Sequence, residues 1–505
     1  MKRDLVLGLD SSTTACKAIL WNLRGKIVSE GRASLSVSLP HPGWHEQPAE
    51  EWWQAAIMAI RSSLAYVDPS RIAALSIAHQ RESFVPLDSA FRPLRPAILW
   101  MDERARPLLA DLERRLDGAR FHHATGKPFS GNLVPGKLAW LRQNEPAAFA
   151  SAAFYADTLA YLNLQLTGQL VTGFGSADPL GLFNMPQSTW DAPTLDTLGL
   201  TSACLPRVLP PGALAGTVTA QAAQETGLPE GLPVFIGLGD GQASALGLNC
   251  VQPGQTSLSL GTSVVTGTPS PVYTVDRAFR TMTAGIPGTY LLETVLLGGT
   301  YTINWFLERF APGHSPEDME TLARSLPPGS QGLLVLPYWN SVMNPYWDAS
   351  AAGLTFGWRG IHGPAHFYRA ILEGIALELR LHLDGIRDAL GQPPHLLAAA
   401  GGGSRSPLWR QIIADATGIR VWRSETVEAA ALGAGILAAA GAGLFPDVSA
   451  AASAMTPPLI EPVEPEPAQT PRYDRLYATY RGLYPALHGA FQTLADVDES
   501  APPIG

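Results

Sequence analysis

Two stretches of this chain repeat one design, and they limit the fold more than any other feature does. LVLGLDSSTTACKAILWN (residues 5–22) is an apolar run, a turn of hydroxyl residues behind Asp10, and a second apolar run. QTSLSLGTSVVTGTP (255–269) has the same form, with Gly-Thr-Ser at the turn. Each reads as two strands around a polar turn, which serves either as a plain hairpin tip or as a loop of N–H groups and hydroxyls aimed at an anion. Half a chain apart, they imply two similar domains, each offering one turn to a shared cleft. A chain of 505 residues exceeds one ordinary core and fits that division.

The segments between them alternate strand and helix, the pattern of an α/β fold. AEEWWQAAIMAIRSSLAYV carries Trp52, Ile57, Ile60 and Leu64 on one helical face, and Trp52 and Trp53 read as core. IAALSIAH, FVPLD and PAILWMD read as strands. A third glycine-rich site, LLAAAGGGSRSPLWRQIIADATG, reads as a strand, a glycine loop and a helix with Ser406 as N-cap, Pro407 first and Gly418 closing it. AAALGAGILAAAGAGLF (429–445) falls short of a membrane span and reads as a helix packed closely on a neighbour. PPLIEPVEPEPAQTPRY reads as a linker before a terminal helix.

Charge excludes some partners. The net charge is −9, and no block of lysine or arginine is present, so neither nucleic acid nor an anionic membrane is expected. Cys16, Cys204 and Cys250 are scattered, which fits a reducing cytoplasm. GLGDGQ lacks the dinucleotide spacing and a clear strand-loop-helix context, and neither a P-loop nor a nucleophile elbow is present. On residues alone, Asp240 reads as a turn aspartate, and Arg81 with Glu82 as a strand-end salt bridge.

The ordered set of motifs resembles the FGGY carbohydrate kinases of the actin–hexokinase superfamily, from about residue 4 to residue 445. LGLDSSTTACKA is similar to the family's first phosphate motif. GWHEQPAEEWW, AILWMDERA and TGKPFSGNLVPGKLAW resemble its N-terminal landmarks. GLGDGQASALG, SLGTSVV and GGGSRSPLWRQIIADATG match the catalytic, second phosphate and adenosine segments in order.

The resemblance implies two ribonuclease-H-like α/β domains flanking a cleft: residues 1–248 for sugar and the first phosphate loop, 249–455 for nucleotide, and 456–505 as linker and terminal helix. It implies ATP and Mg²⁺, with Asp10 toward the metal. Ser12, Thr13, Thr14, Gly261, Thr262, Gly401, Gly402 and Ser406 fall at the nucleotide, with Ser263 in the second phosphate clamp. Asp240 is the catalytic base, and Gln80, Arg81, Glu82 and Trp100 meet the sugar, with Asp102 a weaker candidate. Lys17 reads either as a family landmark or as a sheet-edge charge, and His45 and His79 as structural. Ser12 stands where the family usually has glycine, which implies local strain if that position needs positive φ.

The substrate signals conflict. Gln80-Arg81-Glu82 is the triplet of a glycerol kinase, and Arg81-Glu82 replaces the Met-His pair of xylulokinases. Asn132 and Gly241 are smaller than the Tyr and Gln of glycerol kinases, which implies a longer pocket and a pentulose or related polyol, xylulose-like. Glycerol is the alternative, and a non-catalytic actin-like or chaperone-like nucleotide binder the more distant one. A homodimer is among the assemblies the resemblance allows.

Overall fold

The computed structural model describes residues 3–499. In the first half, strands β1 (Leu5–Ser11), β2 (Ala15–Asn22) and β3 (Ile27–Ser34) form an antiparallel meander. Helix α1 (Ala49–Leu64) then crosses to β4 (Ile72–His79), which runs parallel to β1. After a long excursion, β5 (Leu214–Thr217) and β6 (Pro233–Gly239) complete a sheet of order β5-β6-β4-β1-β2-β3, and helix α2 (Asp240–Gly247) follows β6 directly.

The second half repeats this plan with β7 (Gln255–Leu260), β8 (Val264–Ser270), β9 (Arg280–Thr283), β10 (Tyr290–Leu296), the long helix α3 (Pro364–Leu390), β11 (Leu396–Ala400), α4 (Pro407–Thr417) and β12 (Arg420–Arg423). Its sheet order is β9-β10-β8-β7-β11-β12, with β13 (Ile460–Val463) added at the edge. Three antiparallel strands followed by two parallel ones, β3-β2-β1-β4-β6 and β10-β8-β7-β11-β12, are therefore common to both halves. Both polar turns sit at the same place, the tip of the first hairpin. This is the ribonuclease-H-like pair expected.

Four local readings gain detail. First, helices α5 (Ala429–Gly441) and α6 (Val448–Met455), from the second part of the chain, pack on the first sheet, where Leu432, Ala434 and Ile436 are buried with Val6, Ile19 and Trp21. The small residues explain the closeness: a Cβ on Gly8 would lie 2.0 Å from the Ala431 carbonyl oxygen, and one on Gly433 2.0 Å from that of Ala243. Second, 456–469 is more than a linker, because β13 pairs with β12. The terminal helix α7 (Thr470–Glu499) buries Tyr473, Tyr477, Tyr480 and Tyr484 in the second core. Tyr473 and Tyr480 donate to the buried carboxylates of Glu373 (3.2 Å) and Glu378 (2.6 Å) on α3. Third, GLGDGQ does stand in a strand-to-helix context, with no loop between β6 and α2. Fourth, within PAILWMD only Ala97–Ile98 is strand. Residues 1–2 and 500–505 of the expected domain ranges lie outside the described residues.

Trp52 is fully buried, its indole N–H bonded to Gln47 Oε1 at 2.7 Å. No helix among the described residues is long and apolar enough to cross a membrane.

Candidate active site

The β1–β2 hairpin places Asp10 opposite Lys17 and beside β4. The Asp10 side chain is buried and its Oδ1 has no hydrogen-bond partner among the described residues. Burial pushes its carboxyl up to about 7; Lys17 opposes the rise, and Asp240 and Glu428 add to it. Lys17 is no idle sheet-edge charge, because its ammonium pairs with Glu428 at 2.7 Å, and Arg32 pairs with the same carboxylate. Glu428, just before α5, had no signal in the sequence.

At the turn itself, Ser12 is not among the residues with positive φ, so the strain expected there is absent. Its hydroxyl folds back to donate to the Ala15 carbonyl (2.8 Å), a side-chain stitch that glycine could not make. Thr13 Oγ1 accepts from Trp100 Nε1 (3.0 Å) and donates to Gln80 Oε1 (3.3 Å), while Thr14 is exposed.

Facing this turn is a cavity of about 220 Å³ between the two halves. From the first half it is lined by Ser12, Thr13, Arg81, Glu82, Trp100, Asn132 and Asp240. The second half contributes Ser263, Arg280 and Met343, among others. Asp240 is the first residue of α2, where the helix dipole favours negative charge. Its Oδ1 accepts from Gly241 N (2.8 Å) and pairs with Arg81 Nε (3.0 Å), and the side chain is 45% exposed. No basic residue adjoins Asp240 along the chain, yet in space Arg81 stands against it.

Arg81 extends further. Its Nη1 donates to Glu293 Oε2 at 2.7 Å, and Glu293 Oε1 accepts from Arg280, whose Nη1 donates to Glu82 Oε1 at 2.7 Å. Burial alone would raise the Glu293 carboxyl; Arg81 and Arg280 outweigh it and hold the group at about 2. The chain Asp240–Arg81–Glu293–Arg280–Glu82 crosses the cleft twice. Arg280 and Glu293 lie on β9 and β10, in segments whose alternating apolar pattern gave no functional signal.

The flanking glycines have a steric reason. A Cβ on Gly239 would meet Arg81 Cδ at 2.3 Å, and one on Gly241 would meet Glu293 Oε2 at 2.7 Å. The space on the Glu293 side of Gly241 is thus filled, while Gly241 also lines an adjoining cavity of about 150 Å³ with Asp240 and Arg81. Asn132 lines the larger cavity. Glu82 itself sits at φ 52°, a costly conformation for a non-glycine residue. The buried amino group of Lys137 holds the surrounding backbone by donating to the carbonyls of Leu99 (2.8 Å), Asn132 (2.9 Å), Trp100 (3.0 Å) and Glu82 (3.2 Å).

Other candidates fall outside the cavity wall. Gln80 is buried behind Thr13 and bonded to Gln47 and Ser83. Asp102 is consumed by Arg104 (2.8 Å) and the His45 backbone N–H (2.6 Å). His79 is buried between the Gln80 carbonyl and the Ser176 hydroxyl, and burial lowers its pKa.

Across the cleft, Gly261 and Thr262 form the second hairpin tip, their carbonyls bonded to Thr300 N (2.8 Å) and Gly299 N (3.0 Å). Gly401 adopts φ 85° directly beside Leu260, and Gly402 faces open space, so backbone is bared next to the second turn. The Ser406 hydroxyl caps α4 by accepting from Trp409 N (3.0 Å), which makes it a positioning group for that loop. Among the described residues no three metal-ligating side chains cluster. The lone buried carboxylate of Asp10, with an unpartnered oxygen, fits Mg²⁺, which keeps waters and substrate phosphates as its other ligands.

Comparison with known proteins identifies a family for both halves of the chain. Residues 5–247 match the model of the N-terminal domain of the FGGY family of carbohydrate kinases, and residues 256–442 that of its C-terminal domain. The chain is 28% identical to a xylulose kinase of Bacillus subtilis over 95% of its length and 96% of the relative's. It is 30% identical to a glycerol kinase of Halorhodospira halophila over 94% of its length and 95% of that protein's. The solved structure of a xylulose kinase from Rhodospirillum rubrum superposes with a TM-score of 0.90 at 30% identity, covering 97% of this chain and all of that one.

Proposed function

The chain belongs to the FGGY family of carbohydrate kinases, and from that premise we propose that it transfers the γ-phosphoryl group of ATP to a hydroxyl of an uncharged pentulose or related polyol, with Asp240 as general base. As carbohydrate kinases take ATP as phosphoryl donor, the nucleotide is expected in the cleft between the two hairpin tips. A non-catalytic actin-like role is set aside with family membership.

The observation that carries the reading is the setting of Asp240. One carboxylate oxygen is pinned by Arg81 and by its own helix, while the half-exposed side chain borders the cavity. A sugar hydroxyl there would lose its proton to the carboxylate as its oxygen bonds to the γ-phosphorus. The bond from that phosphorus to the bridging oxygen of ADP breaks, and the proton passes from Asp240 to water. Thr13, Thr14, Thr262 and Ser263 would offer hydroxyl and backbone N–H groups to the phosphates from both sides, with Gly261 keeping the second tip free of a side chain. Gly401 and Gly402 leave room for the nucleoside. Asp10, through water or directly, would hold Mg²⁺, which when bound neutralises phosphate charge in the transition state. Closure of the two halves would exclude water and suppress ATP hydrolysis.

For the substrate, Arg81, Glu82, Trp100 and Asn132 are the proposed contacts from the first half. Xylulose kinases among the relatives support a pentulose. Glycerol is the second reading, favoured by the Gln80-Arg81-Glu82 triplet and by the filled space beside Gly241. Three unpaired cysteines support a cytoplasmic setting. Coupled ADP release with glycerol, D-xylulose, L-xylulose, D-ribulose and erythritol tests the assignment: a pentulose should have the highest kcat/KM, and glycerol ranking first would replace it.

A further inference from the structure

Arg81 and Glu82 do not act alone in the cavity wall. Glu293 receives one arginine on each oxygen, Arg81 at 2.7 Å and Arg280 at 3.1 Å through its Nε. Arg280 also holds Glu82 at 2.7 Å. All four side chains are at least nine-tenths buried. Planar guanidinium–carboxylate pairing of this kind fixes direction as well as charge.

The strand that carries Arg280 is gripped by the first half of the chain. Lys127 donates to the Thr281 carbonyl (2.8 Å) and to Asp178 Oδ1 (2.9 Å), and Asp178 Oδ2 accepts from Thr283 N (2.7 Å). Thr281 N donates to the Gly126 carbonyl at 2.9 Å. A strand of the second sheet is thereby locked onto the first domain at the residues flanking Arg280.

Count the charges that result. Asp240, Glu82 and Glu293 supply three carboxylates against the two guanidiniums of Arg81 and Arg280, which leaves one negative charge. Both arginines already face carboxylates of the protein. A free arginine in a sugar pocket would bind an acidic sugar; here that option is closed.

We propose that Arg280 is a positioning residue that fixes Glu82 for the sugar hydroxyls, and that Glu293 is a specificity determinant that occupies Arg81 and Arg280 and so restricts the site to uncharged sugars. The inference rests on the carbohydrate-kinase reading with Arg81 and Glu82 at the substrate. It also accounts for Gly241, whose missing side chain leaves the room that Glu293 takes.

The test uses the full chain and its Arg280→Met, Arg280→Lys and Glu293→Gln variants, with ADP binding as the check of folding. Arg280→Met should raise the KM of the preferred sugar at least about tenfold, the scale of a lost buried charge contact, while the KM of ATP stays unchanged. Arg280→Lys, which keeps the charge but not the fork, should fall between. D-Xylonate, the acid analogue of a pentulose, should not compete with the sugar in the wild type and should become a competitive inhibitor of Glu293→Gln. Sugar KM unchanged in Arg280→Met, or xylonate inhibiting wild type and Glu293→Gln equally, would overturn the proposal. Absence of turnover of any sugar by the wild type would instead overturn the substrate reading, and this inference with it.

Discussion

The Glu293 carboxylate fills the space in which a side chain at residue 241 would lie: a Cβ built on Gly241 would stand 2.7 Å from Oε2. Gly241 follows the catalytic candidate Asp240, so a residue of the second sheet decides what can stand next to the base. Gly241→Ala should therefore act against helix propensity. In the first turn of α2, with an ordinary backbone, alanine alone would stabilise by up to about 1 kcal/mol. Against Glu293 it would cost about 1–3 kcal/mol of overpacking. We expect lower thermal stability and a raised sugar KM. Glu293→Asp, which draws the carboxylate back, should relieve both. A more stable Gly241→Ala variant with unchanged KM would contradict the contact.

Thr13→Val tests the first hairpin. Thr13 lines the cavity, and its hydroxyl accepts from Trp100 Nε1 at 3.0 Å. Its loss should lower kcat by about 10- to 100-fold, the scale of one lost transition-state donor, and raise sugar KM through Trp100. ADP affinity, which the proposal assigns mainly to the glycine loops, should change less than threefold by calorimetry, about 0.6 kcal/mol or less.

Asp10→Asn makes a pH-dependent prediction for the nucleotide-free protein. The Asp10 carboxyl is raised by burial from 3.8 to about 7. Between those values the folded chain binds more protons than the unfolded one, so this group makes stability fall as pH rises. The asparagine variant lacks that fall. It should match the wild type near pH 4 and exceed it by on the order of 2–4 kcal/mol at pH 8, measured by urea unfolding. Mg²⁺ with ADP should narrow the gap, because only the wild type gains a metal ligand.

Much of this was legible from the amino acids because it rests on local chemistry. Strands beside Asp10 and Gly261, the Ser406 cap and the left-handed Gly418 follow from patterns spanning a few residues. Asp240 was legible through its motif. What was hidden lies in pairings across the chain. Arg280 is 198 residues from the Glu82 it holds and Glu293 is 212 residues from Arg81, and nothing in FRTMTAG or YLLETVL marks a charge cluster. The same holds for Glu428 and Lys17, 411 residues apart. Gln80 was misplaced because a strand end can turn a polar side chain inward as readily as outward. The small size of Gly241 gave no sign that a carboxylate from the second sheet stands against it. The packing of helix α5 on the first sheet was hidden because an Ala/Gly surface does not name the neighbour it fits.

Glu293 also predicts acid sensitivity. Its carboxyl is held at about 2 in the folded protein against 4.5 ordinarily. That depression stabilises the fold above pH 4.5 and is lost as pH falls through about 2. Glu293→Gln should lose less stability between pH 5 and pH 3 than the wild type does. An identical acid profile in the two proteins would mean that Arg81 and Arg280 do not hold the carboxylate.

The most direct measurement is ADP release by wild type and Asp240→Asn with D-xylulose, alongside ADP binding by both. A general base contributes about 10²–10⁴-fold. The variant should therefore bind ADP as the wild type does and turn over at least about 10²-fold more slowly. A variant that keeps most of the wild-type kcat on D-xylulose would remove Asp240 from the chemistry and contradict the account.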